Sequence, residues 1–331
     1  MKIALVQNEK TVPTIFSEKA LGLLRQLGDV AINDGDATDD QVKKTVANAD
    51  IAVTSWGNTH FTADILEHAP NLKLIAHAAG SVKPIVTDAV WERGIRVTGS
   101  PKPIGIGVAE TALGFAVSAS KNFYNLNAFL HGAGNWRNDA EHGRITELFE
   151  ITVGVIGAGW AGGHFIKLMN NFDVDILLYD PFVGEEKILA MGAKPADLDT
   201  IFKQSDIISL HAPSIPETRH MVNARTLGLM KKDAVLINTA RGSLIDEAAL
   251  YNHMKAGGIK YACLDVYDPE PPADDSPLRL LPNVVMTPHL AGAANNGRLK
   301  IGMHVASELK LFLSGEKMEC EVTRDMLAKM A

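Results

Sequence analysis

The sequence predicts an α/β protein built from two parallel-sheet domains. Short apolar runs rich in β-branched residues alternate with segments of helical periodicity through most of the chain. A glycine-rich turn near the middle of the chain joins one such run to a helical segment. The length of 331 residues suits two domains better than one.

The first 98 residues predict one of these parallel α/β domains. We predict strands at Lys2–Val6, Ala52–Ser55, Leu74–His77 and Arg96–Thr98, and helices at Ser17–Gln26, Asp40–Ala47 and Ala63–His68. Small residues follow two of the strands, in the loops 55–57 and 78–81, and leave backbone N–H groups that suit a carboxylate. Ordinary strand-ending turns would use the same residues.

The segment 99–103 predicts a turn at which the chain crosses to the second domain. A helical pattern follows over about 107–130, and its wide apolar surface suits either a partner subunit or the neighbouring domain. Strands are then predicted at 151–156, 174–179, 206–210, 234–238, 260–265 and 284–287. Six strands that alternate with helices match a doubly wound nucleotide-binding fold.

A long helical pattern over 291–313 would return the chain to the first domain. The first domain would then be discontinuous, with residues 1–98 plus 292–331, and the second would span 99–291. We expect two Rossmann-like or flavodoxin-like parallel sheets with a cleft between them.

At its first predicted strand the second domain contains Ile151-Thr-Val-Gly-Val-Ile-Gly-Ala-Gly-Trp-Ala-Gly-Gly-His164, which includes the spacing G-x-G-x-x-G. Gly157 permits a tight turn, Gly159 lets the backbone approach a pyrophosphate, and Gly162 lets the helix pack close to its strand. The next strand ends at Asp180, near the spacing of about 20 residues at which a carboxylate holds an adenosine ribose. This context predicts a dinucleotide site, although a βαβ turn without a ligand would also contain such glycines.

Asp180 favours NAD over NADP, because a carboxylate repels a 2′-phosphate. The residues predicted to contact the cofactor here are Gly157, Ala158, Gly159, Trp160, Ala161, Gly162 and Asp180.

Three polar residues follow predicted strands of the second domain, namely Arg241, Glu270 and His289. Because the carboxyl ends of parallel strands share one sheet edge, the three side chains can converge. A histidine can give a proton to the alkoxide that forms when a hydride reduces a ketone. A carboxylate would orient the ring, and an arginine would grip a substrate carboxylate. The set predicts a site for a 2-keto acid, although each residue alone also suits a salt bridge, an exposed loop or a core hydrogen bond.

The composition excludes several classes of function. The formal net charge is −7 and no basic block occurs, which argues against nucleic acid and anionic membranes as partners. No run approaches the ~18 continuous apolar residues of a membrane span. Two cysteines without a C-x-x-C pair favour the reducing cytoplasm and argue against a structural metal site.

The sequence resembles the D-isomer-specific 2-hydroxyacid dehydrogenase family, in its phosphoglycerate dehydrogenase-like form. The residues that carry the resemblance are Leu210–Pro213, Thr218, Met230–Lys231, Ile237–Asn238, Arg241–Gly242, Ile245–Asp246, Ala249–Leu250, Leu264–Val266, Glu270–Pro271, Asn283–Val284 and Thr287–His289. The resemblance implies two domains around a deep cleft, a homodimer, and NAD-dependent, reversible oxidation of D-2-hydroxy acids.

The resemblance also implies roles for individual residues. Arg241 would bind the substrate, His289 would be the acid/base and Glu270 its partner. Asp265 would hold the nicotinamide carboxamide. The positions that would line the rest of the cofactor site are His211, Ala212, Pro213, Thr218, Thr239, Ala240 and Gly292, and the substrate loop would include Ala79, Gly80 and Ser81.

Two departures from the family pattern leave the substrate open. The loop 77–83 reads His-Ala-Ala-Gly-Ser-Val-Lys instead of alternating glycines followed by Asp, and Glu110-Thr111 stands where the family often has Glu-His. Lys83 could add a cation for a second acidic group, although a solvated lysine suits the same position.

Two other functions suit the same fold. One is an NAD-binding corepressor-like interaction protein, which would need an exposed peptide groove or a disordered tail, and the sequence shows no long tail of this kind. The other is a dehydrogenase for a non-carboxylate anion such as phosphite, which Arg241 could grip equally well.

Overall fold

The computed structural model describes residues 1–133, 136, 139–292 and 294–330. The chain divides into two compact units. The first consists of Met1–Ile104 together with Ala293–Ala331, and the second consists of Gly105–Gly292. The domain boundaries predicted from the sequence lie between residues 98 and 99 and between residues 291 and 292. The binding roles assigned above to the two parts stay predictions.

The elements follow in chain order. The first stretch contains β1 (Lys2–Leu5), α1 (Val12–Ile15), α2 (Glu18–Leu27), β2 (Asp29–Ile32), α3 (Asp39–Val46), β3 (Ile51–Thr54), α4 (Ala63–Glu67), β4 (Leu74–His77), α5 (Asp88–Glu92) and β5 (Arg96–Thr98). The middle stretch contains α6 (Pro101–Ser120), α7 (Phe123–Ala133), α8 (Asp139–His142), β6 (Phe149–Ile156), α9 (Trp160–Met169), β7 (Asp173–Tyr179), α10 (Glu185–Ala190), β8 (Lys194–Pro195), α11 (Leu198–Gln204), β9 (Ile207–Leu210), α12 (Ala224–Leu227), β10 (Val235–Asn238), α13 (Glu247–Lys255), β11 (Tyr261–Leu264) and β12 (Val284–Met286). The last stretch contains α14 (Arg298–Leu313) and β13 (Glu321–Val322). Short 3-10 helices lie at Glu9–Thr11, Pro216–Thr218, Gly242–Leu244, Pro277–Leu280 and Arg324–Lys329.

The first unit is a six-stranded sheet in the order β13-β5-β4-β3-β1-β2. Only the short β13 is antiparallel to its neighbour, and the other five strands form a flavodoxin-like order. The two faces of this sheet are covered separately. Ile3 and Leu5 pack with α2 and α14, whereas Ala4 and Val6 pack with α3 and α4 on the other face.

The second unit is a seven-stranded parallel sheet in the order β12-β11-β10-β9-β6-β7-β8. This is the Rossmann order with one additional strand at the β12 edge. Its central strands are fully buried, because helices cover both faces. The predicted α/β class, with two mostly parallel sheets, is confirmed.

Three predictions about individual elements were wrong. The segment 99–103 is not a turn throughout, because α6 begins at Pro101, and proline is tolerated in a first helical turn. The single helix predicted over 107–130 is two helices, separated at Asn122, which adopts a positive φ of 58°. Residues 291–297 precede α14 rather than belong to it. The edge strands β2 and β8 were not predicted, because the apolar run of β2 is only three residues long and β8 has only two residues.

By length and composition, α6 could cross a membrane. Core helices of globular proteins meet the same criterion. The alanines at 109, 112, 116 and 119 are buried in the apolar cluster that also contains residues of β6, so this helix packs as part of the core of the second unit.

Candidate active site

The glycine turn after β6 has the geometry that each glycine was predicted to need. Gly157 has a φ of +94°, and a Cβ on it would lie 2.7 Å from the His211 carbonyl oxygen. A Cβ on Gly162 would lie 2.0 Å from the carbonyl oxygen of Gly157, so helix α9 meets its strand at van der Waals contact. A Cβ on Gly159 would meet no atom within 4 Å. The open space in front of Gly159 therefore suits the close approach of a ligand.

Helix α9 begins at this open position. Its N-cap is Gly159, no side chain caps its first N–H groups, and its first turn contains no acidic residue. Half-buried Ala161 and exposed Trp160 flank the turn. Uncapped N–H groups and the positive end of the helix dipole suit a phosphate.

Asp180 lies directly beside the glycine turn. Its Oδ2 accepts a hydrogen bond of 2.8 Å from the backbone N–H of Ala158, and its Oδ1 accepts one of 2.9 Å from Phe182. The carboxylate is thus fixed at the end of β7, where a ribose would lie if a dinucleotide occupied the turn.

Two further polar atoms at the carboxyl ends of the strands have no protein partner. These are Nδ1 of His211, after β9, and Oγ1 of Thr239, after β10. Buried polar atoms are rarely left unpaired, so both suit contact with a ligand. Burial lowers the pKa of His211 to about 3, which keeps the ring neutral, and its Nε2 is 2.9 Å from the hydroxyl of Ser209.

The other residues predicted to line the cofactor site have mainly local contacts. Thr218 donates to the carbonyl of Pro213 at 2.6 Å and closes the 3-10 helix 216–218. Ala212 is buried, and Gly292 is the last residue of the second unit. The N–H of Ala240 donates to Asn238 at 3.0 Å.

Asp265 is fully buried at the end of β11 and organises the loop after β12. Its Oδ1 accepts hydrogen bonds from Thr287 Oγ1 at 2.5 Å and from the N–H of Leu290 at 2.9 Å. Its Oδ2 accepts one of 2.9 Å from the N–H of Ala291. In this structure the carboxylate therefore holds the segment that carries His289.

The structure brings His289 and Glu270 together. Nδ1 of His289 is hydrogen-bonded to Oε1 of Glu270, and both side chains keep part of their surface exposed, 48% and 36%. His289 itself adopts a positive φ of 50°. A left-handed conformation at a non-glycine residue costs conformational energy and often accompanies a functional constraint.

Arg241 lies in the same part of the unit. Its Nη1 donates to the carbonyl of Ala240 at 2.6 Å. Burial lowers the pKa of its guanidinium, and the negative charge of Glu270 opposes that lowering, so the two side chains are electrostatic neighbours. The structure thus pairs His289 with Glu270 and gives Glu270 an electrostatic influence on Arg241, whereas the catalytic roles of the three residues stay predictions.

Two residues that sequence reasoning missed position this cluster. Asn238 shapes the turn that carries Arg241, because its Nδ2 donates to the Arg241 carbonyl at 2.9 Å. The hydroxyl of buried Tyr267 is 2.9 Å from the carbonyls of Leu264 and Thr287, so it ties the ends of β11 and β12 together. An N-x-x-R spacing after a buried strand could have indicated Asn238, whereas nothing in the local sequence marks Tyr267.

The loop predicted to bind the substrate lies in the first unit, after β4. Ala79 is buried, and Gly80 and Ser81 are half-buried. His77 anchors the loop, since its Nδ1 lies 2.8 Å from the hydroxyl of Thr54 and its ring is also bonded to the backbone of Ser81. Lys83 donates to the carbonyl of Met330 at 2.5 Å, so this lysine is engaged with the protein itself.

Within the described residues, one group has ligand atoms close enough for a metal ion, namely His304, Glu308 and Glu319 of the first unit. Glu308 already accepts hydrogen bonds from the hydroxyl of Thr98 and from two backbone N–H groups. Glu319 is paired with Lys102 at 2.7 Å. These contacts account for the cluster as part of the fold.

The fold and the site define a dinucleotide-binding α/β protein with an arginine, a glutamate and a histidine at one sheet edge. A family model described as D-isomer specific 2-hydroxyacid dehydrogenase, NAD binding domain, matches residues 113–291. The chain therefore belongs to the D-isomer specific 2-hydroxyacid dehydrogenase family, and its second unit contains the NAD binding domain of that family.

Individual relatives agree with this assignment. A D-3-phosphoglycerate dehydrogenase of Methanocaldococcus jannaschii is 37% identical over 91% of this chain and 57% of that protein. A hydroxypyruvate reductase of Thermotoga maritima is 33% identical over 89% of this chain and 94% of that protein. The solved D-lactate dehydrogenase with NAD⁺ from Lactobacillus jensenii is 25% identical, with a TM-score of 0.82 over 98% of this chain and 100% of the other. The chain spans little more than half the length of the D-3-phosphoglycerate dehydrogenases of Methanocaldococcus jannaschii and Archaeoglobus fulgidus, 57% and 55% respectively.

Proposed function

We propose that this protein is an NAD-dependent oxidoreductase that interconverts a D-2-hydroxy acid and its 2-keto acid by hydride transfer. The observation that carries the proposal is the hydrogen bond between His289 and Glu270, in the unit that also contains the glycine turn and Asp180. Family membership supports the same reaction class.

His289 is proposed as the acid and base of the reaction. Because Nδ1 is bound to a carboxylate oxygen, which can only accept, the Nδ1 position carries the proton and Nε2 is left to face a substrate. In reduction, protonated Nε2 gives its proton to the oxygen of the former ketone. In oxidation, neutral Nε2 takes the hydroxyl proton, and the Glu270 carboxylate stabilises the imidazolium that results. NAD, when bound, supplies or accepts the hydride.

Arg241 is proposed to grip the substrate carboxylate. Its guanidinium is held at one nitrogen by the Ala240 carbonyl, which leaves a planar fork for a bidentate contact. Partial burial strengthens such a contact, because fewer water molecules compete for it. The same fork would polarise the neighbouring carbonyl. We also propose that the backbone of the loop 79–81 contacts the substrate.

The cofactor residues are proposed on the same basis. Residues 157–162 would hold the pyrophosphate and Asp180 the adenosine ribose. His211–Pro213, Thr218, Thr239, Ala240, Asp265 and Gly292 would line the remainder of the cofactor site. The unpaired atoms of His211 and Thr239 are the strongest support within this group.

A screen of NADH oxidation across 2-keto acids of graded size and charge tests the proposal. The expected result is turnover of at least one 2-keto acid by the purified wild-type chain, and its loss in a His289→Asn variant that still binds NADH. The same protein preparation also tests the alternative of a non-carboxylate substrate. Reduction of NAD by phosphite would support that alternative. Binding of NADH with no turnover of any 2-keto acid or of phosphite would contradict the proposed activity.

We further propose that the protein is a cytoplasmic homodimer. Both cysteines, Cys263 and Cys320, are free and buried, as suits a reducing compartment. Phe123, Leu130 and Phe149 of the second unit keep 44–54% of their surface exposed, which suits a covered apolar face. A molar mass near 71 kDa by light scattering, twice that of one 35.6 kDa chain, is expected; a monomer at micromolar concentration would contradict it.

A further inference from the structure

Glu247 is a half-buried acid of the second unit that the proposed mechanism does not use. It is the first residue of α13, but Asp246 caps this helix, because the Asp246 side chain accepts a hydrogen bond of 3.0 Å from the N–H of Ala249. The Glu247 carboxylate reaches a different element. Its Oε1 accepts a hydrogen bond of 3.0 Å from the N–H of Asp268, which lies 21 positions further along the chain. Helix α13 is thus joined to the segment that follows β11.

The Glu247 carboxylate has no lysine or arginine as a partner among the residues that the structure describes. Burial raises the pKa of Glu247, the hydrogen bond from the Asp268 N–H opposes this effect, and the negative charge of the Asp268 side chain adds to it. The folded protein therefore disfavours the charged form of a side chain that it keeps two residues away from a contact of Glu270. Acids that are perturbed in this way often serve a functional site.

The segment that Glu247 contacts, residues 267–270, carries Glu270. Prolines precede and follow Glu270, and a proline has a fixed φ and no N–H to donate. The Tyr267 N–H is 3.4 Å from Oε2 of Glu270, so this donor is used within the segment. The Asp268 N–H is used outside the segment, because Glu247 accepts it. This hydrogen bond therefore anchors a backbone that has few donors of its own.

Other contacts fix the beginning of this segment and contribute less at Asp268. The hydroxyl of Tyr267 bonds carbonyls at the ends of β11 and β12. The Asp268 side chain is 3.1 Å from Nη1 of Arg219, but the two side chains are 40% and 57% exposed, and exposed ion pairs contribute little. A single proline of fixed φ separates Asp268 from Glu270, so a shift of the Asp268 backbone is passed on to Glu270.

We propose that Glu247 is a positioning residue of the dehydrogenase reaction. Its hydrogen bond to the Asp268 backbone holds the segment 267–270, so that Oε1 of Glu270 stays on Nδ1 of His289. Glu247 acts through Glu270, and it does so as a hydrogen-bond acceptor of the right length and not as a negative charge. The inference rests on the proposed function, because it gives Glu247 a part in that same reaction.

Removal of the acceptor tests the proposal first. Glu247→Ala should lower kcat for reduction of a 2-keto acid about 10- to 100-fold, because a small misplacement of a catalytic group is costly. KM for the keto acid and Kd for NADH should change less than about threefold, because the binding groups stay in place. The matched control is Glu185→Ala, at an exposed acid that is the first residue of α10 in the same unit. This control loses a charge at the same helix position and should leave kcat unchanged.

Two conservative variants separate the acceptor from the charge, and they decide the matter even where Glu247→Ala does not fold. Glu247→Gln keeps an acceptor oxygen at the same reach, so its kcat should stay within about threefold of wild type. Its melting temperature should be unchanged or higher, because burial disfavours the charge that it removes. Glu247→Asp keeps the charge but is shorter by about 1.5 Å, so it should lose kcat as Glu247→Ala does. Activity that is retained in Glu247→Asp and lost in Glu247→Gln would overturn the proposal.

A double variant shows whether Glu247 acts through Glu270. In a Glu270→Ala background the group to be positioned is already absent, so adding Glu247→Ala should change kcat less than about threefold. A merely structural role would lower kcat further in this background and would affect substrate binding as well. Additive losses in the double variant would therefore overturn the proposal.

The outcomes separate the inference from the function on which it rests. Wild-type kcat in Glu247→Ala overturns the inference and leaves the dehydrogenase intact. Absence of any turnover by the wild-type chain counts against the proposed function, and crystal structures of Glu247→Gln and Glu247→Asp then still decide whether Glu247 positions Glu270. The contact between Glu270 and His289 should be kept in Glu247→Gln and broken in Glu247→Asp. A contact that is kept in both variants overturns the inference.

Discussion

Nδ1 of His289 is hydrogen-bonded to Oε1 of Glu270, although the two residues are 19 positions apart in the chain. They come from the loops after β11 and β12, which are adjacent parallel strands. Partly buried hydrogen bonds hold the two loops together, because Asp265 accepts from the Thr287 hydroxyl and the Tyr267 hydroxyl donates to the Thr287 carbonyl. The pair is therefore fixed by the sheet edge, which leaves Nε2 as the chemically available end of the ring.

Removing either member of this pair should reduce turnover. His289→Asn is expected to lower kcat by about 10²–10⁴, the usual contribution of general acid and base catalysis. Glu270→Gln keeps the shape and loses the charge, so a smaller reduction is expected. Because the two act as a unit, the double variant should be little worse than His289→Asn alone. Single-turnover NADH oxidation measures the reaction rate of the two single variants and of the double variant. Additive free-energy losses in the double variant would show that the residues act independently.

Arg241→Lys should raise KM for the keto acid strongly and leave NADH binding unchanged, because an ammonium cannot replace a bidentate fork. The matched control is Arg225→Lys, at an exposed arginine that is paired with Asp199 at the surface. Steady-state kinetics with varied keto acid and fixed NADH distinguish the two variants. Equal KM values in Arg241→Lys and in wild type would remove Arg241 from the binding of the carboxylate.

The turn that carries Arg241 predicts a steric sensitivity at Gly242. A Cβ on this residue would lie 1.9 Å from the carbonyl carbon of Tyr267, which is backbone and cannot move aside easily. Gly242→Ala should therefore destabilise the protein by about 1–3 kcal/mol or more and separate Arg241 from Glu270. The control is Gly114→Ala in helix α6, where a Cβ meets no atom within 4 Å and alanine favours the helix. Denaturant unfolding of both variants measures the difference, and equal stabilities would contradict the predicted clash.

Much of this arrangement could be predicted from the sequence, because it depends on local signals. The glycine spacing at 157–162 and the acid at Asp180 lie in one βαβ unit, and strands with apolar sequences come shortly before Arg241 and His289. The parallel order of the strands then brings their loops to one edge. The position of these loops depends only on which segments form strands and not on how the side chains pack.

Other features depend on contacts that the sequence does not encode locally. The bond between Lys83 and the carbonyl of Met330 joins residues 247 positions apart, and the sequence offered only an acidic ligand group or solvent for this lysine. Asn122 breaks the helix after α6 because it adopts a left-handed conformation while its side chain bonds Glu141 and Tyr261.

Asp180 predicts the choice between NAD and NADP. Asp180→Ala should weaken binding of NADH and strengthen binding of NADPH, because the variant lacks the charge that repels a 2′-phosphate. Asp173→Ala is the control, at an exposed acid at the start of the same strand β7. Titration of cofactor fluorescence gives both dissociation constants. An unchanged ratio of the two constants would show that Asp180 serves only to bind the backbone of Ala158 and Phe182.

Buried histidines predict how stability depends on pH. Burial lowers the pKa of His77 to about 4 and that of His211 to about 3, whereas the unfolded chain titrates near 6.5. Below pH 6.5 the unfolded state therefore binds more protons than the folded state, and the free energy of unfolding falls by about 1.4 kcal/mol per pH unit for each histidine. The loss is complete once the pH passes below the folded pKa values.

Urea unfolding between pH 7 and 5 isolates this effect, because the carboxylates of the protein titrate mainly below that window. His77→Asn should make the dependence of stability on pH shallower by about one proton, whereas His60→Gln, at an exposed histidine, should leave the slope unchanged. The His77 ring also holds the loop 77–81 through Thr54 and Ser81, so the variant should loosen this loop at every pH. A slope that matches wild type would show that His77 takes up its proton without unfolding the protein.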